Sequence, residues 1–131
     1  MNTPNSSKPK PYQLKFEHRS QYLYAYVNGE NDSAEISLSF WREIAAEYRK
    51  TKYTKILVDE DIRGCVSPED MYRIGAEIPK LGFTSVRVAF FDRYVEHHEM
   101  NRFGILVATN RGLISRTFND FSQAERWLLK G

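Results

Sequence analysis

The sequence predicts an α/β fold: a mostly parallel sheet of about five strands, with an antiparallel N-terminal edge, covered by four helices. Two observations support this prediction. After the first two strand-like stretches, stretches with helical and with strand periodicity alternate to the end of the chain. The first two strands are separated only by residues 19–21, which favours an antiparallel hairpin. Alternating strands and helices imply parallel pairing with right-handed crossovers.

Length and composition predict one domain that can build a hydrophobic core. The chain has 131 residues, of which 41% are hydrophobic and 14% aromatic. A formal net charge of +2 argues against a nucleic-acid binder driven by bulk electrostatics. The single cysteine, Cys65, excludes an internal disulfide, and we interpret it as an ordinary loop residue.

The composition of the N-terminal residues and the lengths of the apolar runs indicate the domain organisation and the location of the protein. Residues 1–11 are rich in proline and polar residues, so we expect a disordered tail before a domain at residues 12–131. No apolar run approaches the roughly 20 residues that a bilayer span needs, and no signal peptide is visible. We therefore expect a cytoplasmic protein without a membrane span.

The N-terminal half begins with strands at residues 14–18 and 22–27, the second ending at an Asn-Gly turn. A helix then begins between Asp32 and Ser37, and Asp32 is one candidate for its cap. Its apolar positions recur at helical spacing: Leu38, Trp41, Ile44, Ala45 and Tyr48.

A strand at residues 55–59 runs into three consecutive acids at 59–61 and is followed by a strongly marked helix. Ser67 is its expected N-cap and Pro68 its first residue. Pro79 and Gly82 are expected to end it.

In the C-terminal half, the sequence pattern predicts a strand at 85–92, a helix at 94–108, a strand at 114–118 and a final helix capped by Asp120. The 94–108 helix is expected to carry Met100, Phe103 and Val107 on one face. The last helix is expected to bury Phe121, Ala124, Trp127 and Leu128.

Three segments carry a resemblance to a known family: ILVDED at 56–61 with the following SPEDM helix start, VRVAFFDRY at 86–94, and FGILVATNRGLISRTFNDFSQAERWLL at 103–129. Over roughly residues 13–130 the chain resembles the STAS domain of anti-sigma factor antagonists. It also resembles small bacterial STAS-like and CRAL-TRIO-like proteins. The resemblance implies a STAS-like fold and a regulatory role, and it brings a fold rather than a chemistry.

The resemblance also implies a phosphorylated serine at the start of the helix after the central strand. Ser67 is the nearest hydroxyl, although the Asp-Ser-Ser-Gly-like motif of the family is absent. Glu69 and Asp70 would repel a phosphate there, and the helix N-terminus offsets this only in part. A phosphorylation switch at Ser67 is therefore the third of the functional alternatives.

Acidic residues follow two strands that are expected to be parallel. Asp59 or Asp61 after one strand, together with Asp92 after the other, offer oxygen ligands for a divalent cation if these strands are neighbours. The alternative is that these aspartates cap turns or pair with Arg63 and Arg93. We favour that structural interpretation and predict neither a metal nor a cofactor.

Two polar clusters are candidates for binding an anion or a partner: Arg93 beside Asp92, and Arg111 beside Asn110. Paired guanidinium groups bind carboxylate or phosphate, whereas a structural role at the ends of elements is the favoured alternative. His97 and His98 lack zincin spacing, and we expect them to be solvated.

The three tyrosines of the second strand, Tyr22, Tyr24 and Tyr26, share one face. Such aromatic ladders stack on nucleic acid in some proteins. The favoured alternative is that this face packs under a helix, so we predict no nucleic-acid partner.

Taken together, these patterns favour a non-enzymatic module that binds a protein near the Ser67 helix and the strand ends. The alternative is a small anionic or lipid-like ligand held between the sheet and the helices, as the CRAL-TRIO resemblance implies. An apolar pocket lined by Phe90, Phe103 and Val107 and opening to Arg93 or Arg111 would support it. An enzyme is the weakest interpretation, because no nucleophile and base are paired in the sequence. Oligomeric state and pathway are left open.

Overall fold

The structure, a computed structural model, describes residues 10–131. The elements follow the predicted order, β-β-α-β-α-β-α-β-α. The strands are β1 (Tyr12–His18), β2 (Leu23–Gly29), β3 (Lys55–Ile62), β4 (Arg87–Asp92) and β5 (Ile114–Phe118). The helices are α1 (Ala34–Tyr48), α2 (Pro68–Glu77), α3 (His98–Thr109) and α4 (Phe121–Lys130). Most of the predicted tail, residues 1–9, lies outside the described residues.

The strands form one sheet in the order β1-β2-β3-β4-β5. β1 and β2 are antiparallel, and the other neighbouring pairs are parallel. The predicted α/β architecture with an antiparallel N-terminal edge is therefore confirmed. Within the described part of the chain, β1 and β5 are the two edges of the sheet, and β3 lies in its centre.

The helices cover the two faces of the sheet unequally. α1, α2 and α3 pack on one face, where Trp41, Ile44, Ile74 and Ala108 join the larger core cluster. α4 packs alone on the other face, where Ala124 and Leu128 meet side chains of β2, β3 and β4. The direction in which a strand residue points therefore decides which helices it meets.

Local signals account for the helix starts. Ser33, Ser67 and Asp120 are the N-caps of α1, α2 and α4, and each side chain accepts a backbone hydrogen bond three residues on. The Ser67 and Asp120 caps were predicted, and Ser33 lies within the range predicted for the start of α1. Asp32 instead accepts hydrogen bonds from the Ser33 amide and the Ser37 hydroxyl, both at 2.8 Å.

Two of the boundaries that differ from the predictions bear on the candidate sites. β3 continues three residues beyond the predicted end, so the acidic residues 59–61 lie inside the strand rather than in a loop. Pairing with β2 on one side and β4 on the other keeps the backbone extended there. α3 begins at His98, after a short 3₁₀ turn at Val95–His97. No helix of the described residues is long and apolar enough to cross a bilayer.

Candidate functional site

The three consecutive acids of β3 point to opposite faces of the sheet. Side chains alternate along a strand, so Asp59 and Asp61 point towards α4, whereas Glu60 points towards α1, α2 and α3. Asp92 lies opposite Glu60 in β4 and shares its face. Asp59 and Asp61 therefore do not share a site with Asp92, although the two strands are neighbours as the cation hypothesis required.

Asp59 is the buried partner of an ion pair. Its side chain is 1% exposed, and Arg93 Nε and Nη2 donate to its two carboxylate oxygens, each at 2.9 Å. The Tyr24 hydroxyl also donates to Asp59. Burial, followed by this hydrogen bond, raises the pKa of Tyr24, so the phenol stays protonated. Arg93 is thus bound to Asp59, as the structural alternative described.

The tyrosine ladder of β2 packs under a helix, as predicted. Tyr22 and Tyr24 are buried in the cluster that includes α4. The Tyr22 hydroxyl donates to Glu125 of α4 at 2.7 Å, and burial is the largest cause that raises the pKa of Tyr22 to about 12. The Tyr26 hydroxyl donates to Asp61 at 2.7 Å, and this hydrogen bond lowers the pKa of Asp61. The Tyr22 phenol therefore ties the sheet to α4, and the Tyr24 and Tyr26 phenols tie β2 to β3, so the ladder does not form an open stacking surface.

On the other face, four titratable side chains form what we call the buried acidic cluster: Glu60, Asp92 and His97, which are buried, and Asp32 beside them, which is half-buried. Asp92 Oδ1 accepts the Tyr94 amide at 2.8 Å, and its Oδ2 lies 3.1 Å from His97 Nδ1. The prediction that both histidines are solvated was wrong for His97, whose side chain is 7% exposed. The 3₁₀ turn before α3 carries this imidazole inward, towards the end of β4.

Electrostatics in this cluster favour neutral acids. Burial, reinforced by the charges of Asp32 and Asp92, raises the pKa of Glu60 well above its usual value. Burial also raises the pKa of Asp32 to about 6 and raises that of Asp92. Of the salt bridges among residues 10–131, the contact of His97 with Asp92 alone reaches the cluster. Negative charge here is therefore poorly compensated by the protein itself.

A cavity of about 50 Å³ adjoins the cluster, between the sheet and the three helices. Glu60, Trp41 and Phe90 are among the residues that line it. Of the three residues whose shared pocket would support a ligand, Phe90 lines this cavity, whereas Phe103 and Val107 do not. Phe103 points outward, and Val107 packs against α2 near Gly75. Neither Arg93 nor Arg111 lies at this cavity.

Arg93 and Arg111 also do not form a joint anion site. Arg93 follows β4, whereas Arg111 precedes β5, so the two lie at opposite ends of neighbouring parallel strands. Arg111 donates to the Val107 carbonyl at 3.0 Å and to the Tyr72 hydroxyl at 2.9 Å. Asn110 is the C-cap of α3, where its backbone amide bonds to the Leu106 carbonyl.

Ser67, the candidate phosphorylation site, is exposed and is the N-cap of α2. Its hydroxyl accepts the Asp70 amide at 3.1 Å. Cys65, two residues earlier, is also exposed. Phosphorylation would place a dianion beside the Glu69 and Asp70 side chains, which is the repulsion that the sequence predicted.

The Ser67 cap leads to a stability prediction. Ser67→Ala is expected to lower the free energy of unfolding by about 1 kcal/mol, because the Asp70 amide loses its acceptor. Ser67→Asp should lower the free energy of unfolding by less, because aspartate also caps helices well. Urea denaturation followed by circular dichroism measures both. Equal losses in the two variants would contradict the capping role.

A groove that the sequence reasoning missed runs between α3 and the edge strand β5. We call it the edge groove; its volume is about 780 Å³. It is lined by His98, Glu99, Arg102, Phe103, Ile105, Leu106, Thr109, Ser115, Arg116 and Thr117. Phe103 is 39% exposed and Leu106 is 55% exposed. A signal was available: Phe103 and Leu106 lie on a separate helical stripe from the buried Gly104, Val107 and Ala108.

The floor of the edge groove holds polar atoms without partners. Among the described residues, the side-chain polar atoms that are completely closed off from solvent and lack a hydrogen bond are His98 Nδ1, Ser115 Oγ and Thr117 Oγ1. All three residues line this groove. Buried polar groups are normally hydrogen-bonded, and in this groove either water or the polar groups of a bound molecule can supply the missing partners.

The fold has a counterpart among solved structures. A protein of the DUF3478 family from Shewanella loihica PV-4, described as having a SpoIIAA-like fold, aligns with 98% of this chain and 98% of its own length. The sequence identity is 15% and the TM-score 0.52. No protein-family model and no curated protein matches the sequence. The chain thus has the SpoIIAA-like α/β fold that its resemblance to STAS domains implied.

Proposed function

We propose that this protein is a cytoplasmic, non-enzymatic interaction module that binds an extended segment of a partner protein in the edge groove. The observation that carries the proposal is the free edge of β5 beside an open groove with exposed apolar side chains. Among the described strands, β5 pairs only with β4. Its outer backbone groups are therefore available to a further strand.

The groove supplies both elements of strand-addition recognition. In that mode, main-chain hydrogen bonds to an edge strand give affinity, and pockets for alternate side chains give specificity. The free edge of β5 provides the former. Phe103 and Leu106 on α3 provide an apolar wall for side chains that point towards the helix.

The charge of the groove favours a partner with an acidic residue. Arg102 lines the groove from α3, and Glu99 offsets its charge only in part through a 4.0 Å contact. Arg116 pairs with Ala89 of β4, which packs on the α4 face, so the Arg116 side chain points away from α3. The fitting partner is an extended peptide with an apolar residue over α3 and an acidic residue near Arg102.

The alternative of a lipid-like ligand has less support. The core cavity holds about 50 Å³, far below the roughly 300–1,000 Å³ of typical ligand pockets. An acyl chain would require α2 and α3 to separate. The location expected near Ser67 also has less support than the edge groove, because Val66 beside it is buried.

The test uses a library of extended peptides displayed on phage and selected against the full chain. Selected peptides are synthesised, and their affinity is measured by fluorescence polarisation. Leu106→Asp is expected to weaken binding at least tenfold, because burying a Leu side chain contributes about 1.5–3 kcal/mol. Hydrogen exchange should also slow at the β5 amides when peptide is bound.

Val95→Asp is the matched control, since Val95 is 68% exposed and does not line the groove. It should leave the affinity unchanged. Selection of no peptide, or of peptides that bind the Leu106 and Val95 variants equally well, would count against the proposal.

A further inference from the structure

The buried acidic cluster brings three metal-ligating groups together, independently of the edge groove. A carboxylate oxygen of Glu60, one of Asp92 and a ring nitrogen of His97 all lie within 4.8 Å of one another. Asp92 Oδ2 and His97 Nδ1 are 3.1 Å apart. Bonds of about 2.0–2.1 Å at a tetrahedral zinc ion place neighbouring ligand atoms roughly 3.3 Å apart. Small side-chain movements therefore suffice to form the site.

A second observation comes from Glu60 itself. Its side chain is 5% exposed and lines the core cavity. Burial and the neighbouring acids account for its shifted pKa, with no hydrogen bond contributing. A buried carboxyl without a partner, facing a cavity, has room for an ion beside it.

The surroundings suit a cation rather than an anion. Asn101 Nδ2 donates to Asp92 Oδ2 at 2.8 Å, and the Tyr94 amide donates to Oδ1. Such outer hydrogen bonds orient carboxylate ligands. Two carboxylates and a neutral imidazole would balance the charge of a divalent ion, with Asp32 adding negative charge nearby.

We propose that Glu60, Asp92 and His97 bind one divalent transition-metal ion, and that Zn²⁺ fits this ligand set best. Imidazole together with carboxylates is a typical zinc ligand set. Mg²⁺ and Ca²⁺ prefer oxygen ligands and higher coordination numbers. The site uses Glu60, which the cation hypothesis from the sequence left out, and neither Asp59 nor Asp61.

The test measures Zn²⁺ binding to the full chain after chelator treatment. Zn²⁺ is added to the native protein and, because the site is buried, also during refolding. Titration calorimetry is expected to give one Zn²⁺ per chain in at least one of these preparations, with a higher melting temperature that Mg²⁺ does not produce. Co²⁺ in place of Zn²⁺ should give the visible absorption of tetrahedral coordination.

Variants separate this site from adventitious binding. Glu60→Gln keeps the side-chain shape and should lower Zn²⁺ affinity at least tenfold, and His97→Asn should do the same. His18→Gln is the control, because His18 and Glu47 form an exposed pair 2.8 Å apart that can hold zinc weakly. The proposal is overturned if neither preparation binds Zn²⁺, if Glu60→Gln binds normally, or if His18→Gln abolishes binding.

Discussion

Arg93→Ala is expected to lower the free energy of unfolding by about 3 kcal/mol, the low end of the cost of breaking a buried ion pair. The substitution leaves Asp59 buried without its bidentate partner. Tyr24 still donates one hydrogen bond, and water can enter where the half-exposed guanidinium was. These two effects keep the loss at the low end. Urea denaturation followed by circular dichroism measures it.

The matched control is an exposed ion pair. Arg73 lies 3.0 Å from Glu35, and both side chains are more than half exposed, so Arg73→Ala should cost less than about 1 kcal/mol. Adding Asp59→Asn to Arg93→Ala should recover part of the stability, because an amide is cheaper to bury than an unpaired charge. If Arg93→Ala lowered the free energy of unfolding no more than Arg73→Ala, the Arg93–Asp59 ion pair would contribute little to stability.

Gly75→Ala is expected to lower the free energy of unfolding by about 1–3 kcal/mol, the usual cost of overpacking. A Cβ atom on Gly75 would lie 2.6 Å from the Gly104 carbonyl oxygen and 2.9 Å from Val107 Cβ. α2 and α3 would have to separate to relieve this contact. Thermal and urea denaturation both measure the loss.

Gly104→Ala is the matched control on the facing helix. Its new Cβ would meet the end of the flexible Met71 side chain rather than backbone. Met71 can rotate away, and alanine gains up to about 1 kcal/mol of helix propensity over glycine. We therefore expect a change near zero. A loss as large as that of Gly75→Ala would show that the helix separation is not set by the backbone contact at Gly75.

Local patterns predicted most of the fold correctly because they report interactions between residues close in sequence. The caps at Ser67 and Asp120 follow from side chains that bond to amides three residues away. The apolar stripe of α1 and the packing of Tyr22 and Tyr24 under a helix follow from periodicity.

The candidate sites were less predictable because they combine residues distant in sequence. Three consecutive acids resemble an exposed turn, yet pairing with β2 and β4 extends β3 through them. His97 looked solvated in a polar stretch, but the turn before α3 directs it onto Asp92. Phe103 is apolar and was therefore expected in the core, although its stripe of α3 extends past the edge of the sheet.

The order of strands and helices, the parallel sheet and the capped starts of α2 and α4 could therefore be predicted from the sequence, since turn length, periodicity and caps are local properties. The sequence did not predict three features: the identity of the buried carboxylates, the separation of Arg93 from Arg111 and the edge groove. These features depend on which strands are neighbours and where the sheet ends. Alternation along β3 assigns Asp59 to an arginine and Glu60 to a cavity, although the two residues are adjacent in sequence.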